Sequence, residues 1–436
     1  MNGNGTSHRR VLAASLLATT IEFYEFFIYA TAAAVVFGQL FFPASAPFAQ
    51  SVGAWGSFAL AFIARPLGAV LFGHLGDLHG RRRALGWAIV LMGGCTVAIG
   101  LLPTHGRIGW WATLLLCLLR FGQGLGLGGH WGGAVLLATD HAPKGREGLF
   151  GAVPQLGAPI SFLISSAVFL ALGAALTERQ FIEWGWRIPF LLAAPLTGLS
   201  LWARLGVAPE ADGPAERPPL PKSPPLWTLL SQHPGEAVLG TVGVVACFVL
   251  YYLSTAFALS YATTTLGFSR HAFLIVQMGA IPFMAVGTLA AAWLCIRHEP
   301  GSVLLAGALL TIPTGLLLAP AAAAGPTAAV SFLCTALFVL GLMYGPLGSW
   351  LPRLFPDELK YTGASVAFNV AGVIGGALTP LIATFAAARF GLQPVGLGLA
   401  AAGALSFLAV LLLTGRPRPG SSARTHASRR GQTASE

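Results

Sequence analysis

The chain has 436 residues, 55% of them hydrophobic and only 9% charged, with a formal net charge of +10. A water-soluble domain carries about 25% charged residues, so the composition excludes a soluble enzyme or binding module and places the protein in a lipid bilayer. The cations cluster in short loops between apolar runs, which suits anionic headgroups and gives no footprint for nucleic acid.

Met1–Arg10 is short and polar. The apolar run that follows is too long for a signal-peptide core and lacks a convincing cleavage site. Helical spans are expected at 11–37, 51–75, 84–102, 110–138, 148–176, 187–206, 236–262, 272–296, 302–319, 326–350, 362–388 and 391–414, against a requirement of about 20 residues per crossing. The sequence therefore predicts an all-α polytopic protein of twelve transmembrane helices. With the amino terminus inside, 18 of the 25 lysines and arginines fall on the inner side. Arg107, Arg179, Arg187, Arg270 and Arg389 fall outside, and Arg65 and Arg120 lie within spans. This bias predicts a plasma-membrane protein with both termini in the cytoplasm.

Between spans six and seven, 207–235 holds Pro209, Pro214, Pro218, Pro219, Pro221, Pro224 and Pro225. Such a stretch builds no core and reads as a cytoplasmic linker. It separates six-helix bundles at 11–206 and 236–414. A cytoplasmic segment at 1–10 and a basic tail at 415–436, expected to be disordered, flank them. Gly148–Gly157 and Gly363–Gly372 open spans five and eleven in similar fashion, 215 residues apart. By analogy with transporters built of two related halves, a cavity is expected at their interface near the bilayer midplane.

Span one carries Ile21-Glu22-Phe23-Tyr24-Glu25-Phe26-Phe27-Ile28-Tyr29. A charge at that depth costs about 2.5–3.5 kcal/mol on insertion scales, so both acids are expected to face a bundle interior or a wet cavity. Glu22 and Glu25, three apart, are expected to share one helix face, with Tyr29 one turn on; Tyr24 and Tyr29 are candidate solute contacts. Span two carries Arg65 before Pro66, placed either to bind a carboxylate with its planar fork or to neutralise a glutamate. Span four carries Arg120 and, one turn later, Gln123. A buried arginine stays charged, which makes a pairing of Arg120 with a span-one glutamate the expected compensation. Gly124, Gly128 and Gly132 suit close helix packing. His130 is either a proton or solute site or a satisfied buried histidine, and histidine ordinarily titrates near neutrality. Trp131, Gln155, Tyr251, Tyr252, Tyr344 and Asn369 are polar-tipped groups at membrane depth, each able to pack or to contact solute. The five cysteines (Cys95, Cys117, Cys247, Cys295 and Cys334) have unrelated spacings and read as packing residues. The sequence shows no metal cluster, nucleophile elbow or phosphate loop.

The loop Gly73-His-Leu-Gly-Asp77-Leu-His-Gly80-Arg81-Arg82-Arg83 resembles the major facilitator signature G-x-L-x-D-x-x-G-R-[RK]-[RK], with Leu78 where arginine is common. That resemblance implies a cytoplasmic gate of Gly73, Asp77, Gly80, Arg81 and Arg82. Its counterpart around Leu294–Gly301 has no matching acid. Arg120-Phe-Gly-Gln123-Gly124 is similar to the R-x-x-Q-G signature of proton-coupled facilitators. Ile21–Tyr29, Ala64–Ala69, Pro154–Pro159, Trp184–Phe190 and Gly345–Pro356, with Tyr361, Gly363 and Asn369, together resemble the metabolite:proton symporters. Two departures are Glu25 for aspartate and His130 for glutamate. The resemblance implies the major facilitator fold and proton-coupled symport of a small carboxylate or zwitterion, in a monomer of the bacterial inner membrane. The proton would be the coupling ion and no cofactor is expected. Glu22, Glu25, His130 and Arg120 would handle the proton. Tyr24, Tyr29, Arg65, Arg120, Gln123, Trp131, Gln155, Tyr251, Tyr252, Tyr344 and Asn369 would contact the solute. A proton-driven exporter and a transport-derived sensor are the competing readings.

Overall fold

A computed structural model describes residues 3–42, 47–79, 81–143, 145–205 and 225–414. Among them there is no β-strand, as expected in lipid, where every backbone polar group must find its partner within the protein. Eleven helices among the described residues are long and apolar enough to cross a membrane. In order these are α1 (Arg10–Phe41), α2 (within Pro47–His79), α3 (within Arg81–Leu101), α4 (Trp110–Asp140) and α5 (Glu147–Ala175), then α7 (Pro234–Thr264), α8 (within Arg270–Arg297), α9 (Pro300–Ala323), α10 (Pro326–Leu354), α11 (Lys360–Phe390) and α12 (Leu392–Thr414). The sixth, α6 (Ala193–Leu205), is shorter than the expected span 187–206: a 3-10 turn at Gly185–Arg187 and a single helical turn at Ile188–Leu191 precede it. The helix containing α1 starts at Gly3, ahead of the expected boundary at residue 11. The linker residues 207–224 and the tail 415–436 lie outside the described residues.

The surface is inverted relative to a soluble protein. Ile63, Val90, Leu118, Val286, Ile382 and Leu408 point outward, while Ser57, Thr96, Gln123, Gln155 and Asn369 are buried. Lipid tails solvate the outer side chains, so helix association rests on close packing and interior polar contacts. Glycines make that packing possible at matching places in the two halves. A Cβ on Gly124 would collide with the carbonyl of Ala61, and one on Gly128 with that of Arg65, which locks α4 onto α2. A Cβ on Gly341 would collide with the carbonyl of Met284, and one on Gly345 with Ala291 and Thr288, which locks α10 onto α8. Single π-helical turns interrupt α1 at Ala33–Phe37, α7 at Leu253–Phe257 and α11 at Val373–Ala377.

The halves meet most closely toward the face that carries both described ends of the chain. There Gly151 of α5 abuts the Gly348 backbone of α10, Gly148 abuts Cys295, and Glu147 lies 3.6 Å from Arg353. Nearer the middle, ring contacts take over: Phe27 on Tyr251, and Phe62 on Tyr252.

Candidate functional site

All buried charged or readily titrated carboxyl, guanidinium and imidazole groups among the described residues come from the first half: Glu22, Glu25, Arg65, Arg120 and His130. They form three separate clusters.

In the first, Glu22 Oε1 lies 3.0 Å from His130 Nδ1. This is ion-pair distance for a protonated imidazole, though out of line for a hydrogen bond. His130 sits at a break in α4. The Gly128-Gly129 pair resists helical order, and the amides of Gly129 and His130 turn back to Gly126 and Leu127 in 3-10 fashion. The helix restarts at Trp131. Carbonyls at this break accept bonds from the other half, that of Gly129 from Tyr361 Oη at 2.5 Å and that of Gly128 from Asn369 Nδ2 at 3.4 Å.

In the second cluster Glu25 points between α3 and α6. Its Oε2 accepts from Thr96 Oγ1 at 2.7 Å and its Oε1 from Thr197 Oγ1 at 3.0 Å. Thr96 Oγ1 in turn accepts from Gln123 Nε2 at 2.7 Å, and Gln123 Oε1 accepts from Arg120 Nη1 at 2.8 Å. The guanidinium of Arg120 is caged by Tyr29, Phe26 and Phe58, at 3.9, 4.9 and 5.0 Å from the ring centroids. Ring faces carry negative potential, worth about 2 kcal/mol or more to a desolvated cation. The Nε and Nη2 atoms of Arg120 have no hydrogen-bond partner.

The third cluster joins the halves. Arg65 Nε donates to Asn369 Oδ1 at 2.9 Å, with the Phe62 and Phe368 rings at 5.6 and 5.8 Å. Beside it lies a cavity of about 30 Å³, room for about two waters. Arg65 is its one charged wall. Phe23, Phe26, Phe27 and Ala158 from the first half line it, as do Tyr251, Tyr252, Tyr344 and Phe368 from the second. The Tyr251 hydroxyl is buried without a partner. Trp131 stacks on Phe368 at 3.8 Å and donates to Gln155 Oε1, and Gln155 donates to the Tyr344 carbonyl.

This arrangement corrects three expectations. Glu22 and Glu25 do not work as one face: a spacing of three residues turns them by 60°, enough to give them to different neighbouring helices. Arg120 pairs with no glutamate, because an aromatic cage and a neutral amide hold it while Glu25 turns to two threonines. Arg65 neutralises no glutamate either; its hydrogen-bond partner is the neutral Asn369. Tyr24 donates to the Pro189 carbonyl and Tyr29 to Ser57, and neither lines the central cavity. The backbones of Gly73, Asp77, Arg81 and Arg82 lie in the helices Pro47–His79 and Arg81–Leu101. Their side chains, and Gly80 entirely, lie outside the described residues.

Thr96, Thr197, Phe58, Phe62 and Phe368 complete these clusters and carry no marker of their own in the sequence; Tyr361, which also joins them, stands out there only through the family resemblance. A threonine in an apolar helix looks the same whether it bonds its own backbone or a carboxylate on another helix. A larger cavity of about 200 Å³ lies wholly within the second half, between Leu250, Phe257, Phe273, Leu333 and Leu399. No charged residue lines it, so it offers little to orient a polar solute.

Comparison with known proteins bears on this geometry. The family model of the Major Facilitator Superfamily matches residues 11–368. The chain is 42% identical over 414 residues to the inner membrane metabolite transport protein YhjE of Escherichia coli (strain K12), covering 93% of this chain and 94% of that protein. It is 34% identical to the shikimate transporter of the same organism, over 86% of this chain and 87% of that one. Among solved structures, the proton:xylose symporter XylE bound to 6-bromo-6-deoxy-D-glucose matches with a TM-score of 0.73 at 16% identity, over 95% of this chain and 97% of that chain. That last likeness is one of fold.

Proposed function

Because the chain belongs to the Major Facilitator Superfamily, we propose that it is a proton-coupled symporter of a small organic anion. It is a multi-pass membrane transporter of metabolites, not an enzyme; the anion, the coupling and the direction are our reading.

One observation carries that reading. Arg65 borders the central cavity between the halves, buried to 3% exposure, and its hydrogen-bond partner is a neutral amide. A buried guanidinium without a carboxylate partner is costly on its own, and its planar fork matches a carboxylate in two parallel bonds. The solute's own carboxylate would supply the missing charge, with Tyr251 offering a further hydroxyl and the surrounding rings covering the solute's apolar face. The relative named for shikimate, a carboxylate, fits this choice of substrate. The solved neighbour named as a proton:xylose symporter fits the coupling. A proton arriving at the Glu22–His130 pair or at Glu25 changes the charge of the first half. Solute at Arg65 bridges to Asn369 on the second. Together they let the halves rock, past a gate at Asp77 and Arg81. No cofactor takes part. The 18-to-5 placement of basic residues supports termini in the cytoplasm of a bacterial inner membrane, and the site is complete within one copy.

The test is uptake of radiolabelled small carboxylates into proteoliposomes. An inward proton gradient should drive accumulation and a protonophore should abolish it. Uptake that survives the protonophore unchanged rules out coupling. An Arg65→Gln protein that transports carboxylates like the parent removes the anion site.

A further inference from the structure

Glu25 lies away from the cavity, held by two threonine hydroxyls, and both of these donors share one property. Thr96 Oγ1 has one proton and two acceptors within reach, Glu25 Oε2 at 2.7 Å and the carbonyl of Met92, one turn back on its own helix, at 2.9 Å. Thr197 Oγ1 likewise reaches Glu25 Oε1 at 3.0 Å and the carbonyl of Ala193 at 2.7 Å. A hydroxyl donates once and accepts twice. Each threonine must therefore choose between the carboxylate and its own backbone.

We propose that Thr96 and Thr197 form a two-position cradle that keeps Glu25 hydrogen-bonded in both protonation states and passes the change to Arg120. This rests on the proton-coupled reading above and names residues beyond those it uses. With Glu25 ionised, both hydroxyls turn to the carboxylate. When one proton from solvent bonds to Oε2, the Thr96 hydroxyl rotates to Met92, and the new Glu25 O–H donates to Thr96 Oγ1. Neither threonine gives up its proton. Thr96 Oγ1 has two acceptor positions, so it still accepts from Gln123 Nε2. No polar atom of the Glu25–Thr96–Thr197 cradle is stranded in either state, which removes the usual cost of an unmade buried bond. The Gln123 amide, whose oxygen holds Arg120 Nη1, feels the reorientation directly. Arg120 has two donors still unengaged and a cage of rings rather than an ion pair, so it can shift without breaking a salt bridge. The other titratable groups that feel Glu25 are Glu22 and Tyr24 on its own helix and Cys95 on α3; α4 faces it through Gln123, and α6 presents Thr197.

The experiment compares Thr96→Val, which keeps the shape, with Thr96→Ser, which keeps the hydroxyl, in the full chain in proteoliposomes. Uphill uptake driven by a proton gradient, solute counterflow and the pH profile of uptake are read together. Charge-assisted bonds are about twice as strong as neutral ones, so Thr96→Val disturbs the two states of Glu25 unequally. The expected result is a fall in uphill uptake at least about ten-fold greater than the fall in counterflow, and a pH profile displaced by about half a unit or more. Serine should restore both. Should Thr96→Val fail to fold, Thr197→Val gives the same comparison at the second arm. Equal losses in uphill uptake and counterflow with an unmoved pH profile, in whichever variant folds, overturn the cradle. A parent protein whose uptake ignores protonophores overturns the coupling itself, which is a separate failure.

Discussion

The two six-helix halves share a scaffold and divide the chemistry. Gly124 and Gly128 bring α4 onto α2 in the same way that Gly341 and Gly345 bring α10 onto α8. A π turn interrupts the first helix of each half, at Ala33–Phe37 in α1 and at Leu253–Phe257 in α7. Yet among the described residues the buried acids, arginines and histidine belong to the first half, while the buried polar groups of the second are neutral, Asn369, Gln277, Ser365 and Thr311 being examples. Backbone-close packing is what a helix bundle in lipid needs, so both halves keep it. Charge is costly in lipid and appears where one half uses it. The second half supplies a wall of rings, a bridging amide and a hydroxyl that docks on the broken α4.

That asymmetry is most directly broken at Glu25. If the first half alone carries the proton, Glu25→Gln should reduce uphill accumulation by about 100-fold or more while leaving counterflow measurable, because a carboxamide keeps the shape and cannot cycle its charge. Normal accumulation by this variant would move the proton site to Glu22 and His130. The next largest effect is expected at Arg65. Truncation to alanine removes a charged hydrogen-bonding partner, worth about 1.5–3 kcal/mol, and should weaken carboxylate binding by roughly 10- to 150-fold. Isothermal titration in detergent reads this. Asn369→Ala, from the neutral half, should cost less; an equal loss would mean that the two residues form one site and the division between the halves is not functional.

The shared scaffold makes its own forecast. A methyl group on Gly128 would meet the Arg65 carbonyl, while one on Gly345 would first meet the Ala291 side chain. Overpacking costs about 1–3 kcal/mol. Gly128→Ala should therefore lower the thermal unfolding midpoint more than Gly345→Ala, because backbone yields less readily than a side chain. Equal shifts would show that the resemblance between the halves is closer than their chemistry.

The same comparison explains what could be read in the sequence. Apolar run length and the cost of charge in lipid announce helices and buried acids without knowledge of neighbours, and the loop charges need only local inspection. The breaks inside helices are less legible. Gly128-Gly129 reads as packing because glycine serves both purposes, and Pro154 opens a 3-10 turn within an unbroken apolar run. Partnerships between helices are the least legible. Arg120 is compensated by Phe26 of α1 and Phe58 of α2, rings that look like ordinary lipid-facing or core residues, and by Tyr29, which the sequence offers as a solute contact instead. Arg65 meets Asn369 across 304 positions of chain. Opposite charges in a sequence invite pairing, but rotation about each helix decides which side chains meet, and a difference of 60° sent Glu25 to threonines.

The smallest effect concerns the contact by which the neutral half holds the charged one. Tyr361 donates to the Gly129 carbonyl at the break in α4, one residue from His130. Replacing it with phenylalanine removes one net hydrogen bond, about 1 kcal/mol, and favours separation of the halves on the termini face by about five-fold. Cys295 offers a native reporter: it is 8% exposed and abuts Gly148 of the other half, so a thiol reagent reaches it when that face opens. Its labelling rate, followed by mass spectrometry of the Cys295 peptide, should rise by the same five-fold in Tyr361→Phe, because labelling tracks the open population when opening and closing are fast. An unchanged rate would place the restraint in the Gly151–Gly348 backbone contact instead. The bonds from Arg65 to Asn369, from Asn369 to the Gly128 carbonyl and from Gln155 to the Tyr344 carbonyl would then share that restraint with the close backbone contact.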